Sequence, residues 1–272
     1  YQKPDFKVDD LNYCITGEKE VGVSYSLVNF IGINPIAKSK KNISIPDMVT
    51  YQGNTYTVTS VYSGAFKNYR HVTSISIPNS VSSIGSEAFE NCKSLTSINI
   101  PDGVSTIDKQ TFNNCQSLRS IALPKSITTI NESAFIDCKS LISLIIPDGT
   151  ECIQANAFKG CVSLHHVTIP YTVDEIDYGA FENCQSLLSI TIPYQVEIIR
   201  NGTFKGCTSL CSVELPIGIT CIESRAFKDC QSLRSIEIPH TIKHVKKKAF
   251  EGSGIYNNHA YWDNGVLYVS NC

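Results

Sequence analysis

The stretch Phe89–Thr111, FENCKSLTSINIPDGVSTIDKQT, contains the pattern that decides the fold. Its features return at a constant step of 23 residues, without insertion or deletion. A serine-leucine pair and a proline recur at this step, and so do a phenylalanine and a cysteine, so each forms a column of equivalent positions along the chain. The phenylalanine column is Phe66, Phe89, Phe112, Phe135, Phe158, Phe181, Phe204, Phe227 and Phe250, and the cysteine column is Cys92, Cys115, Cys138, Cys161, Cys184, Cys207 and Cys230. A fixed period of this size predicts a solenoid, in which stacked coils bury a core that no single coil could bury.

Within one coil, the segment Ser97–Ile100 has the alternation of a β-strand. Ile98 and Ile100 are expected to point inward, and Pro101 ends the strand because it has no N–H to donate. Every coil runs the same way round, so strands 23 residues apart are expected to pair in parallel. The return leg is short between its turns, which favours one or two helical turns on the outer side.

The repeating unit Ala-Phe-x-x-Cys-x-Ser-Leu-x-Ser-Ile-x-Ile-Pro-x-x-Val-x-x-Ile resembles the BspA-type leucine-rich repeat across residues 58–254. This resemblance implies a curved parallel β-sheet on the concave side and short helical or 3-10 turns on the convex side. It also implies a secreted or cell-surface protein without catalytic residues or cofactors, which binds a protein on a host or neighbouring cell. The sequence departs from the pattern at Thr111 and Thr203, which replace the alanine, at Thr150, and at Tyr69 and Ser253 in the cysteine column.

Three regions are predicted along the chain. Residues 1–57 break the period but alternate like strands, which favours a β-rich N-terminal cap over the first coil. Residues 58–254 form the leucine-rich repeat solenoid. Residues 255–272 contain Asn264-Gly265 between two apolar segments, the pattern of a tight hairpin. This last region is either a hairpin insert that leads into further repeats or a natural cap.

The cysteines are predicted to be structural. Seven of the 12 occupy the repeat column, where an inward-facing thiol behaves as a small hydrophobic side chain. The other five are Cys14, Cys152, Cys211, Cys221 and Cys272. Cys14 and Cys272 are expected at opposite ends of the stack, too far apart for one disulfide.

Charge and hydropathy narrow the possible partners. The formal net charge is −2, which argues against a general nucleic-acid binder because phosphate is bound by clustered positive charge. The basic cluster at 243–248 is interpreted as a solvated face. No apolar run approaches the length of a membrane-spanning helix, so no membrane span is expected.

The candidate binding residues lie on the predicted concave strand face, around the middle coils. Grouped apolar and aromatic side chains mark interfaces more often than scattered ones do. The predicted patch consists of Ile142, Ile145, His165, His166, Tyr171, Leu188 and Tyr194.

Two alternatives accompany the protein-binding hypothesis. Tyr171 and Tyr194 on successive coils could instead form a platform for sugar rings, which would make the chain a carbohydrate-binding module. A zinc site at His165-His166 is disfavoured because adjacent strand residues point to opposite sides. No catalytic motif of the common hydrolase, metalloprotease or phosphate-binding types is present, so we expect a non-enzymatic protein without a metal or cofactor.

Overall fold

A computed structural model of the protein describes residues 4–8, 11–24 and 40–256, together with the backbone of 262–263 and 266–267. Residues 25–39 of the predicted cap and the terminal Cys272 lie outside the described residues. The strands in chain order are β1 Phe6–Val8, β2 Leu11–Gly17, β3 Glu20–Ser24, β4 Asn42–Ser44, β5 Met48–Tyr51, β6 Asn54–Val61, β7 Ser74–Ser76, β8 Ser83–Ile84, β9 Ser97–Ile98, β10 Thr106–Ile107, β11 Thr129–Ile130, β12 Ser143–Ile145, β13 Cys152–Ile153, β14 His166–Thr168, β15 Glu175–Ile176, β16 Ser189–Thr191, β17 Ile198–Ile199, β18 Ser212–Glu214, β19 Cys221–Ile222, β20 His244–Val245, β21 Trp262–Asp263 and β22 Val266–Leu267.

One parallel strand layer corresponds to the predicted strand face, and we call it the front sheet. It contains β4, β7, β9, β12, β14, β16 and β18. Pairing follows the repeat, because Ser143 lies opposite His166 and Ile145 lies opposite Thr168. In β12, β16 and β18 the middle residue is buried and its two neighbours are exposed. The prediction of parallel strands stacked at the repeat step is confirmed.

A second layer of two-residue parallel strands runs beside the first, and we call it the side sheet. It contains β8, β10, β11, β13, β15, β17, β19 and β20. Thr106 pairs with Thr129 and Ile107 with Ile130, again one repeat apart. The isoleucine of each pair points inward and the preceding residue outward. The coils therefore present two strand faces to solvent, although the sequence pattern indicated one.

The phenylalanine-bearing segments are turns, so the predicted helical or 3-10 turns are not present among the described residues. A helix would satisfy each N–H within its own coil. Here the Phe66 N–H donates to the Ala88 oxygen of the next coil at 2.8 Å, whereas the Lys67 N–H donates to Gly64 in its own coil at 3.0 Å. Positive φ angles, such as 61° at Asn91, permit this alternation. The turns thus add hydrogen bonds between coils that a helix could not make.

The core is a continuous column of phenylalanine rings. From Phe66 to Phe250, neighbouring rings stack with centroids 5.2–5.6 Å apart and planes within 16° of parallel. These separations favour offset stacking, and the rings are almost fully buried. Each interior ring therefore depends on a coil on either side.

The column cysteines form a hydrogen-bonded ladder beside the rings. Each thiol donates to the phenylalanine carbonyl of the preceding coil at 3.1–3.2 Å, as Cys161 does to Phe135. Burial raises the pKa of Cys92 and Cys230 to about 12 and that of the five thiols between them well above 9.0. These groups are protonated and inaccessible at neutral pH, which suits them to packing and not to nucleophilic chemistry.

The N-terminal strands are joined to the coils through both sheets. β1, β2 and β3 pair antiparallel in sequence, and β3 then pairs in parallel with β6. β6 also pairs with β8, the first strand of the side sheet, whereas β4 pairs with β7 in the front sheet. The expected cap boundary at residue 57 falls inside β6, so the two regions share one strand. At the other end, β21 and β22 pair antiparallel around residues 264–265.

Candidate functional site

All seven side chains of the predicted patch are exposed on the front sheet. Ile145 and His166 lie within strands, and the other five lie at strand borders. The inward residues of the sheet belong to the core, so only three kinds of position can contact a partner. These are the position that enters the strand, the two outward strand positions, and the position after the proline. Each kind forms a column along the stack at the repeat step.

The entry border brings three of the predicted residues together. Ile142, His165 and Leu188 occupy successive coils and are linked by backbone hydrogen bonds, from the His165 N–H to Ile142 at 2.9 Å and from the Leu188 N–H to His165 at 3.3 Å. The ring Nδ1 of His165 lies 2.7 Å from the Ser163 carbonyl oxygen, so this nitrogen donates to it and carries the proton. The border thus presents two aliphatic side chains around a histidine held by its own coil.

The opposite border, after the prolines, carries Tyr171 and Tyr194. Their side chains are 60% and 62% exposed, and Ile217 on the next coil is 71% exposed. The Tyr194 hydroxyl accepts a hydrogen bond from Gln195 at 3.2 Å. Polar residues of β14 and β16, including His166 and Ser189, separate this border from the entry border. The structure therefore distributes the predicted patch over the full width of the front sheet.

A groove that the sequence did not indicate lies between these borders. Its volume is about 830 Å3, and its lining includes Ile98, Ile121, Ala122, Leu123, Ile145, Ile146 and Pro147. The front sheet is interrupted here, because residues 120–123 form no strand. Ala122 is the small outward residue of that coil, and Ile145, 73% exposed, stands next to it. The substitution of alanine in an outward column was the available sequence signal.

Charged side chains flank this groove at the post-proline border. Lys125 and Asp148 both line it, are exposed, and follow the prolines of successive coils. An apolar floor with a few polar groups at its rim is the usual composition of a binding groove. The volume is also within the range of small-ligand and peptide sites.

The described residues include no group of three or more His, Cys, Asp or Glu side chains positioned to hold a metal ion. Glu214 accepts a hydrogen bond from Thr191 at 2.9 Å on the open front sheet. Nor do residues 4–8, 11–24 and 40–256 contain a helix long and apolar enough to cross a bilayer.

Solved structures provide the comparison for this architecture. A leucine-rich repeat protein from Bacteroides ovatus is 34% identical, with a TM-score of 0.80 over 89% of this chain. The match covers 61% of that protein, so the chain spans less than two thirds of its length. A leucine-rich repeat protein of T. pallidum is 27% identical, with a TM-score of 0.52 over 76% of this chain and 80% of that one.

A more distant structure, the pneumococcal vaccine antigen PcpA, shares the fold at 18% identity, with a TM-score of 0.51 over 93% of this chain and 80% of that one. No curated protein matches the chain. The BspA type leucine rich repeat region matches residues 59–187 and 135–257, which together include every coil from β8 to β20. The chain therefore belongs to the BspA-type leucine-rich repeat family.

Proposed function

We propose that the protein is a non-enzymatic scaffold, secreted or displayed on a cell surface, that binds a protein of a host or neighbouring cell through its front sheet. The observation that supports this most directly is Ile145, an aliphatic side chain left 73% exposed beside an apolar groove. A single exposed apolar residue is ordinary, but one that borders an apolar groove is a favourable contact for a partner side chain.

The surrounding residues support a protein partner of mixed character. Ile142 and Leu188 add aliphatic surface at the entry border, whereas Lys125 and Asp148 add one charge of each sign at the groove rim. Protein interfaces combine an apolar centre with a polar rim in this way. The solenoid holds these residues on strands or directly beside them, so little conformational entropy is lost when a partner binds.

The test compares two isoleucines of nearly equal exposure. Purified protein is screened against an array of extracellular and cell-surface proteins, and each binder is then titrated with Ile145→Ser and Ile217→Ser. Ile145 borders the groove and Ile217, 71% exposed, does not. We expect Ile145→Ser to weaken binding at least tenfold, or about 1.4 kcal/mol, and Ile217→Ser to leave it within about twofold.

Equal binding by wild type and Ile145→Ser would contradict the assignment of the groove, provided that both variants melt at the wild-type temperature. Failure to bind any array protein would contradict the proposed class of partner. Antibody labelling of intact source cells tests the surface location separately.

A second candidate function is carbohydrate binding by the post-proline border. The exposed rings of Tyr171 and Tyr194 occupy neighbouring coils and contact no other ring among the described residues, so they are available to stack on a sugar. Saturable binding on a glycan array that is lost in Tyr194→Ala, but kept in Tyr178→Ala on the turn side, would favour this function. The absence of any glycan signal would favour the protein partner.

A further inference from the structure

The side sheet carries a charge pattern that reverses along the stack. Asp174, Glu175 and Asp177 are the outward residues of the β15 coil, whereas Lys243, His244 and Lys246 hold the same three positions in the β20 coil. All six are exposed or half-buried. The acidic coil and the basic coil are separated by the β17 and β19 coils.

The two intervening coils repeat the reversal in reduced form. Arg200 follows β17, and Glu223 holds the same position after β19. At the outward strand position, Ile198 in β17 lies next to Cys221 in β19. Between the β17 and β19 coils, Arg200 therefore corresponds to a residue of opposite charge, Glu223, and the apolar Ile198 corresponds to Cys221.

We propose that the side sheet binds a second copy of this chain in a symmetric, face-to-face dimer. A two-fold axis parallel to the strands, lying between β17 and β19, keeps each column opposite itself and reverses the order of the coils. It places the β15 coil opposite the partner's β20 coil and the β17 coil opposite the partner's β19 coil. A two-fold axis uses the same surface on both copies, so every contact occurs twice.

The contacts generated by this axis bring no like charges together at any outward position. Asp174 faces Lys243 of the second copy, Glu175 faces His244, and Asp177 faces Lys246. Arg200 faces Glu223, Ile198 faces Cys221, and Glu197 faces the neutral Thr220. These six pairs contain no two charges of the same sign.

Shifting the axis by half a coil destroys this complementarity. An axis through the β17 coil would place Arg200 opposite Arg200 and Asp177 opposite Glu223. An axis through the β19 coil would place Arg200 opposite Lys246. Like charges brought together in this way disfavour an interface, so the pattern specifies one register.

Local geometry also favours entry of a lysine from the second copy. A groove of about 450 Å3 lies in the acidic half of the side sheet, and Asp174, Glu175, Glu197 and Arg200 are among its lining residues. Within one chain Arg200 contacts Glu175 at 2.7 Å and Asp177 at 3.7 Å, and Lys246 contacts Glu223 at 2.9 Å. No ion pair involves Asp174 or Glu197 in the described part of the chain. The proposed axis brings Lys243 of the second copy opposite Asp174, one coil away from Glu197.

The dimer is expected to be weak and sensitive to salt. Four coils about 4.8 Å apart and roughly five residues at about 3.3 Å each give a face of about 300 Å2 per copy, which is in the range of transient contacts. Because its specificity comes from exposed charges, added salt screens it. The surface is separate from the front sheet, so the dimer could bind other partners at the same time.

The test is a charge exchange in the full chain, followed by sedimentation equilibrium at low and high salt. Asp174→Lys places lysine opposite Lys243, and Lys243→Glu places glutamate opposite Asp174. Each variant alone is expected to dimerise at least tenfold more weakly than wild type. An equimolar mixture of the two variants restores opposite charges at both symmetric contacts, so we expect it to dimerise as wild type does.

Asp102→Lys is the matched control, because it makes the same change of charge at an exposed position after a front-sheet proline. It is expected to leave the dimer unchanged. Wild-type protein that stays monomeric at low salt up to about millimolar concentration would overturn the proposal, since even transient interfaces associate there. Dimerisation that is unaffected by the single variants, or not restored in their mixture, would also overturn it.

Discussion

Two coils with the same strand motif, Ser-Ile-x-Ile-Pro, differ in how well they are buried. In the coil that contains β16, Ile190 and Ile192 are each 3% exposed. One coil after β18, Ile236 and Ile238 hold the same two positions but are only half-buried, and residues 235–237 form no strand. The side chains are identical, but β16 has a neighbouring strand on both sides, β14 and β18. Burial in this fold is therefore a property of neighbouring coils, as expected for a chain whose repeats contact only the next repeat.

The largest expected effect is a loss of folding stability at high pH, caused by the thiol ladder of the interior coils. The pKa of each column thiol is raised above its ordinary 9.0 by burial, to about 12 at Cys92 and Cys230. Above about pH 9 the unfolded chain loses thiol protons that the folded chain keeps, so stability is fully present below that pH and falls as the pH rises toward the folded values.

Each thiol contributes about 1.4 kcal/mol per pH unit in this window, so seven together exceed a typical total stability within about one to two units. Far-UV circular dichroism of the reduced protein should show cooperative unfolding there. Cys161→Ala should reduce the slope of the unfolding free energy against pH by the contribution of one thiol. A flat profile to pH 11 would contradict the buried ladder.

The phenylalanine column provides the next comparison. Phe158→Ala should lower the unfolding free energy by about 3–5 kcal/mol, because it leaves a cavity between two stacked rings. Phe250 stacks on Phe227 alone among the described residues, so Phe250→Ala should cost less. Urea denaturation measures both. Equal losses would mean that a ring's stability does not depend on having a neighbour on each side.

The smallest expected effect compares the two isoleucine positions directly. Ile190→Ala should cost about 2–5 kcal/mol because the site is buried, whereas Ile236→Ala should cost clearly less because its side chain is already half-exposed. Thermal melts of the two variants, with Ile217→Ala as an exposed reference, rank the three sites. A loss at Ile236 as large as that at Ile190 would show that another part of the chain covers this coil.

The sequence predicted the repeat, its step, and the parallel strands before the prolines because four columns recur in register. It did not reveal the side sheet, since a single inward isoleucine such as Ile107 gives too short a pattern to indicate a strand. It also favoured helices where the chain forms turns. That choice depends on where each N–H points, and the positive φ of Asn91 directs alternate N–H groups toward the next coil.

The candidate surfaces were predictable only in part. Residue columns such as Tyr171 with Tyr194 follow directly from the period. The groove beside Ile145 depends on the interruption of the front sheet at residues 120–123, which a coil-by-coil pattern does not contain. Asp174 and Lys243 share a column by the same period, but only the structure shows that this column faces outward on a second sheet.

By itself the sequence determined that coils stack and which side chains fill the space between them, because identical apolar residues at a fixed step can be buried only by one another. The tertiary structure decided which remaining side chains share a face, where the front sheet is interrupted, and how the turns exchange hydrogen bonds. These features depend on backbone angles and on contacts between coils, and neither is written in the spacing of the repeats.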